Sequence, residues 1–234
     1  MKLTGILAVL AWTALPAMAI DTPHLAGDFQ GWDPGADAMT ETGVDTGIYE
    51  AIVSGLDPSS RHEFKITNGT WDETVPGPNS WFFADGAGDI TITYDSNTYD
   101  DGWSPSVDRL ILSTDPGTWT AVGNFQSFFG GGDWDNANPF TAMTPMGGGI
   151  YMFEATGLPE GTYDWKAVVT GSWDAISWDA RSVNAANMQF TIDGDNPAAN
   201  LYVDSFGGTV KVELIPEPAS LLGLTLLGLL IRRR

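Results

Sequence analysis

The sequence predicts an all-β protein built as two tandem β-sandwich modules, and three observations carry that expectation. Short runs rich in β-branched and aromatic residues, bounded by turn residues, recur at 48–54, 61–67, 89–94, 149–155, 162–169, 188–192 and 199–203. No stretch between the two ends of the chain keeps a 3.6-residue apolar period, so long amphipathic helices are not expected. Finally, the chain repeats itself: HEFKITNGTWD at 62–72 is answered about a hundred residues later by GTYDWKAVVTGSWD at 161–174.

The echo runs in order along the chain. Gly27-Asp28-Phe29-Gln30 matches Gly123-Asn124-Phe125-Gln126, each following an apolar strand and preceding a Trp-Asp pair, Trp32-Asp33 and Trp134-Asp135. The second copy has a longer, glycine-rich loop before its Trp. Met39-Thr40 then answers to Met143-Thr144, and Gly47-Ile48-Tyr49 to Gly149-Ile150-Tyr151. Gly55-Leu56 answers to Gly157-Leu158, and the run ends on Lys65 with Trp71 against Lys166 with Trp173. Ile48 and Ile150, Lys65 and Lys166, and Trp71 and Trp173 are 102, 101 and 102 positions apart. A nearly fixed offset over so many ordered matches indicates duplication. The expected division is a module over 20–105 and another over 106–215, joined in the polar stretch Asp100 to Ser106. Asn68-Gly69 reads as a tight type I′ hairpin turn, since both of its central positions need positive φ.

The chain opens MKLTGILAVLAWTALPAMA, with Lys2, an apolar run and Ala17-Met18-Ala19. That order predicts a signal peptide over 1–19, cleavage after Ala19 and export. The last residues hold an apolar run of 13, Ala219 to Ile231, before Arg232, Arg233 and Arg234. The run is short against the ~20 residues of a comfortable membrane-spanning helix. The arginines favour a cytoplasmic end. Pro216-Glu217-Pro218, a short apolar helix and an Arg cluster over 216–234 resemble the PEP-CTERM sorting signal of Gram-negative bacteria. That resemblance implies an exosortase-type processing protease as partner. It also implies delivery to the cell surface or extracellular matrix, with the membrane touched only through the tail before processing. Retention as an anchor is the alternative.

Four of the 10 basic residues lie in these terminal segments, leaving six against 30 acidic residues, a net charge of −24 if Glu217 is retained. Such a surface repels nucleic acid and anionic lipid headgroups and is compatible with neutral sugars or divalent cations. There is no Cys, so neither disulfides nor thiol chemistry holds the exported part together. Ten Trp, 11 Phe and 6 Tyr are available for the core.

Strand alternation places Tyr163, Trp165, Ala167 and Val169 on the core face, and likewise His62, Phe64 and Ile66. Lys65 and Lys166 then face out at equivalent positions. If Trp32 with Trp71, and Trp134 with Trp173, converge beside them, each module shows an aromatic platform and one donor. Sugar rings bind such surfaces by stacking their C–H faces on indole. The competing reading of each Trp is core packing.

The order GDFQGW, GIY, GL, EFKITNGTW resembles the glycogen-binding, early-set family of carbohydrate-binding modules. The second copy is similar to the accessory β-sandwich modules of bacterial pullulanases. The resemblance covers about 25–105 and 108–214. It implies immunoglobulin-like sandwiches and α-glucan binding. The motif positions fall on Trp32, Lys65, Trp71 and Asp89, and on Trp134, Lys166, Trp173 and Asn200, with Asp89 where Asn is usual.

An enzyme is not expected. The only His residues are His24 and His62, and there is neither a G-x-S-x-G motif nor a metal-ligand His spacing. No cofactor is expected. Calcium is the one candidate ion, at Asp95, Asn97, Asp100 and Asp101 or at Asp193, Asp195 and Asn196, though neither loop has the EF-hand pattern. Two functions stay open: an exported protein binding α-glucan or exopolysaccharide, and a structural or adhesive matrix protein whose Trp residues serve cores or protein interfaces.

Overall fold

The computed structural model describes residues 20–217. The expected signal peptide and the tail from Pro218 onward, with Arg232 to Arg234, lie outside the described residues. The described chain is all-β, interrupted only by short 3₁₀ turns at Asp28–Gln30, Gln126–Phe128 and Pro139–Thr141. Among the described residues no helix is long and apolar enough to cross a membrane.

Four antiparallel sheets form in two pairs. The first has the order β2 (Asp37–Ala38), β1 (His24–Gly27), β5 (Arg61–Thr67), β6 (Thr74–Phe83). The second runs β3 (Thr40–Glu41), β4 (Ile48–Val53), β7 (Ile90–Asp95), β8 (Arg109–Leu112). Leu25, Phe64, Ile66 and Phe82 from the first meet Ile90, Ile92, Tyr94 and Leu110 from the second in one core. The third sheet runs β14 (Arg181–Val183), β13 (Asp174–Ile176), β12 (Gly161–Val169), β15 (Met188–Ile192), and β9 (Trp119–Gly123) also pairs with β12. The fourth runs β10 (Thr144–Gly147), β11 (Ile150–Thr156), β16 (Ala198–Asp204), β17 (Thr209–Ile215). Trp119, Trp165 and Phe190 meet Tyr151, Phe153 and Leu201 in the second core.

The alternation in β12 is as the sequence predicts, with Tyr163, Trp165, Ala167 and Val169 all in the core. Strand β6 was not expected, because Pro76, Gly77 and Pro78 break its run. The sheet accommodates them with a register shift opposite Phe64 and Ile66. Strand β8 lies past the boundary expected near Asp100 to Ser106 and pairs with β7, so the first pair of sheets reaches Leu112. The type I′ turn expected at Asn68-Gly69 is not formed. Gly69 has φ 84°, but Asn68 does not adopt positive φ. The Asn68 side chain accepts from the Thr70 backbone and hydroxyl instead, at 3.1 and 2.7 Å, and a wider loop reaches β6.

The two cores are joined through the outer face of the first sheet. Adjacent strand residues point to opposite faces, so Phe82 enters the first core and Trp81 enters the second. The Trp81 indole lies 6.0 Å from that of Trp119 and donates to the Ala175 carbonyl at 3.3 Å. The buried Arg181 guanidinium covers Trp81 at 4.9 Å and donates to the Ser205 carbonyl. The connecting segment is itself paired to β17, where Ser104 and Val210 exchange hydrogen bonds of 2.8 and 2.7 Å.

Candidate functional site

The repeated G-x-F-Q phrase is a device for holding a Trp-Asp loop. A Cβ on Gly27 or on Gly123 would collide with the ring of Phe29 or Phe125, so only glycine lets that ring fold back over the strand end. Two residues from Gly in each phrase is the Phe, and next comes the Gln. The Gln30 carbonyl oxygen accepts from the Asp33 backbone at 2.6 Å while its amide donates to the Asp33 carbonyl at 2.8 Å. Gln126 does the same for Asp135, at 2.9 Å in both directions. The loop is then closed by the Trp itself: Trp32 donates to the Gly27 carbonyl and Trp134 to the Gly123 carbonyl, at 2.9 and 3.2 Å. Both tryptophans are thereby held in the left-handed region, at φ 60° and 58°. A bulky residue there is strained, and such strain persists only where surrounding bonds impose it.

In the first module the two expected tryptophans converge. The Trp32 and Trp71 rings lie 6.4 Å apart and inclined by 44°. Trp71 is 48% exposed and Trp32 half-buried. Lys65 projects from the outer face of β5, where its ammonium donates to the Gly77 carbonyl and, at 3.4 Å, to the Pro76 carbonyl. Burial lowers its pKa.

The second module is more closed. Trp173 is 39% exposed, and Trp134 packs on a small cluster of Val122, Val168, Ala175 and Ala185 covering the outer face of the third sheet. Lys166, expected to be exposed, is buried, with 9% of its surface accessible. Its ammonium donates to the Ala185 carbonyl at 2.8 Å and lies 5.9 Å from the centre of the Trp173 ring. Burial lowers its pKa, against the opposing pull of Asp179. The physical reason is an insertion. In the first module β6 runs on alongside β5, whereas in the second the corresponding edge is split into β13 and β15, with β14 between them. That excursion folds over Lys166. Both lysines serve the same local purpose, which is to hold carbonyls of the segment interrupting the neighbouring strand.

Asp89 and Asn200 are not brought to these clusters. Asp89 precedes β7 and Asn200 lies in β16, on the second and fourth sheets, whereas the lysines lie on the first and third. Facing sheets are separated by ~10 Å, and these two residues point away from the cores. Asp89 accepts from the Gly55 backbone at 3.3 Å, and Asn200 donates to Glu213 at 3.5 Å. Three acids of the candidate calcium loops are occupied locally. Asp95 accepts from Asn97 and Tyr99, Asp101 from Arg109, and Asp193 from Asp195 and Asn196. Among the described residues no group of three His, Cys, Asp or Glu is placed to hold a metal ion.

Sequence reasoning missed Trp178. It is 52% exposed and lines a cleft of about 600 Å³ between the modules, facing Val75, Pro76, Pro78 and Pro105. The signal was present, since Ser177-Trp178-Asp179 repeats Ser172-Trp173-Asp174 within five residues.

Residues 118–207 match the family described as the pullulanase X25 domain. Over 113 residues, 47% of this chain, the sequence is 32% identical to an amylopullulanase of Thermoanaerobacter thermohydrosulfuricus. The match spans only 7% of that enzyme's length. Among solved structures, SusF from Bacteroides thetaiotaomicron aligns at a TM-score of 0.32 and 20% identity, over 86% of this chain and 50% of its own. The pullulanase from Bacillus acidopullulyticus aligns at 0.28 and 14%, over 82% and 28%. The X25 match begins one residue before β9 and takes in Trp134, Lys166, Trp173 and Asn200.

Proposed function

We propose that this is an exported, non-catalytic polysaccharide-binding protein of two immunoglobulin-like sandwiches, and that its principal glycan surface is the first module's Trp32, Trp71 and Lys65. The observation that carries the reading is the inclined Trp32–Trp71 pair. Trp71 is too exposed to be core, and half-buried Trp32 is held at a strained backbone position by the loop's own hydrogen bonds. Two indoles at that separation offer a pyranose ring two apolar faces, and the exposed Asp33 and Asp72 follow them in the chain as hydrogen-bond acceptors. The X25 match of the second module and the stretch shared with an amylopullulanase support an α-glucan as ligand. An exopolysaccharide of the producing cell fits the export and PEP-CTERM signals equally, with an exosortase-type protease removing the tail. In the second module Trp173 is the surviving contact, because Lys166 is withdrawn. Trp178 lines the cleft opposite Val75 to Pro78 of the first module as a separate exposed ring.

Native electrophoresis of the purified protein through gels with and without amylopectin tests the reading. Retardation of the wild type, lost in a folded Trp71→Ala variant, is expected. A wild type that migrates identically in both gels rejects the α-glucan, and a Trp71→Ala variant that fails to fold rejects the site.

A further inference from the structure

The two modules differ where a groove opens in the first. In the second module Phe129 packs on Phe153 at 5.0 Å and on Phe125 at 6.1 Å, closing one side of the sandwich. The repeat register sets Phe125 against Phe29, but Phe153 against Ala51. Phe129 belongs to the seven-residue segment Ser127 to Asp133, which the first module lacks between Gln30 and Trp32 apart from Gly31. The first module therefore misses two aromatic rings at one place. There it has a groove of about 750 Å³, walled by Leu25, Phe29, Ala51, Val53 and Leu56. Phe29 is left half-buried, where its counterpart Phe125 is fully buried.

Beside the groove a strand edge is left open by the described residues. Strand β3 pairs only with Tyr49 and Glu50 of β4. The Ile48 carbonyl accepts from Thr42 on that side at 2.9 Å. Every second residue of a strand directs its backbone groups the same way, so the N–H and C=O of Ile52 face the open edge. The rim carries the carboxylates of Asp37 and Glu50, and among the described residues neither Lys nor Arg lines the groove. An occupant must then supply an aromatic ring, a strand backbone and positive charge.

We propose that this groove binds an extended peptide segment bearing an aromatic side chain flanked by lysine or arginine. The peptide adds a strand to β4 and places its ring where the second module keeps Phe129 and Phe153. The site is separate from the Trp32–Trp71 surface and does not depend on glycan binding.

The test is calorimetric titration of the purified protein with the peptide acetyl-Lys-Val-Phe-Val-Lys-amide, beside versions with Ala for Phe and with Glu for Lys. Saturable binding by the first, weakened about tenfold or more in both controls, is expected. Ala51→Phe restores the ring of the second module, and it is expected to melt at or above the wild-type temperature and to lose the peptide. Ile52→Pro removes the edge donor without touching the β4–β7 ladder, and it too is expected to lose the peptide. The proposal is overturned by a wild type that does not saturate, by control peptides that bind equally, or by either folded variant keeping wild-type affinity. An Ala51→Phe protein that is destabilised or unfolded also overturns it, since the space would not be vacant. Competitive displacement of the peptide by maltoheptaose would reassign the groove to glycan.

Discussion

Arg61 of β5 grips Asp174 of β13 across the junction of the two modules, through Nε to Oδ2 at 2.7 Å and Nη2 to Oδ1 at 2.5 Å. The Asp174 side chain is 3% exposed, so its charge depends on this fork and on the Ser172 hydroxyl at 2.8 Å. A buried carboxylate stripped of its partner costs about 3–5 kcal/mol. The Arg61 side chain is about one-third exposed, which lowers the expected loss for Arg61→Ala to about 2–3 kcal/mol after allowance for solvent screening. With Trp81 also buried in the neighbouring core, the modules are expected to unfold in urea as one transition, by Trp fluorescence and circular dichroism alike. Two resolved transitions in the wild type would contradict this coupling.

Trp71 separates binding from stability. Its indole is half exposed, so Trp71→Ala is expected to shift the urea midpoint little, by about 0.5 kcal/mol or less. Loss of one stacking face is expected to weaken glycan affinity about tenfold, ~1.4 kcal/mol. Trp173→Ala, with a more enclosed ring, is expected to cost less affinity. Affinity electrophoresis over a series of amylopectin concentrations measures both. Equal losses would show the two modules to be equivalent binders.

These contrasts show where the sequence was legible. The repeat and the period-two alternation placed β4, β5, β7, β11, β12, β15 and β16, because each sends alternate apolar residues into a core, although the end of β12 is buried on both faces. Strand β6 was hidden by Pro76 and Pro78, which sit at a bulge that no local pattern announces. The Trp32–Trp71 convergence was legible because Gln30 and Gly27 recur with it. The burial of Lys166 was not, since it depends on the β13–β14 excursion, which has no counterpart in the first copy. Asp89 and Asn200 were placed by motif order alone, and order along a strand does not reveal which sheet of a pair the strand joins.

Lys166 is therefore expected to act on stability and not on binding. Lys166→Ala removes the hydrogen bond to Ala185 and leaves that carbonyl buried without its partner, at a cost of about 1–3 kcal/mol. Lys65→Ala, whose carbonyls stay nearer solvent, is expected to cost less than about 1 kcal/mol. Differential scanning calorimetry of the two variants ranks them. A larger loss for Lys65→Ala would mean that the closure over Lys166 contributes nothing.

Asp101 and Arg109 give the protein an acid-sensitive clasp on the segment between the modules. Arg109 donates to both Asp101 oxygens at 2.8 Å and to the Pro105 carbonyl at 2.9 Å. The guanidinium, aided by the Trp103 backbone N–H, holds the Asp101 carboxyl down to about 2. In the unfolded chain it titrates near 3.9. A carboxyl whose folded pKa is depressed contributes stability that is fully present above the unfolded value and lost as the pH falls through the folded one. Its side chain is 42% exposed, so the contribution is small, about 0.5–1 kcal/mol, and screened by salt. Asp101→Asn is thus expected to lie below the wild type by that amount at neutral pH. The gap is expected to hold down to about pH 5 and to close between about pH 4 and 2. Urea midpoints of both proteins across that range, at low and high salt, check it. A gap that stays constant through pH 2 would show that the contact holds the segment by shape and not by charge.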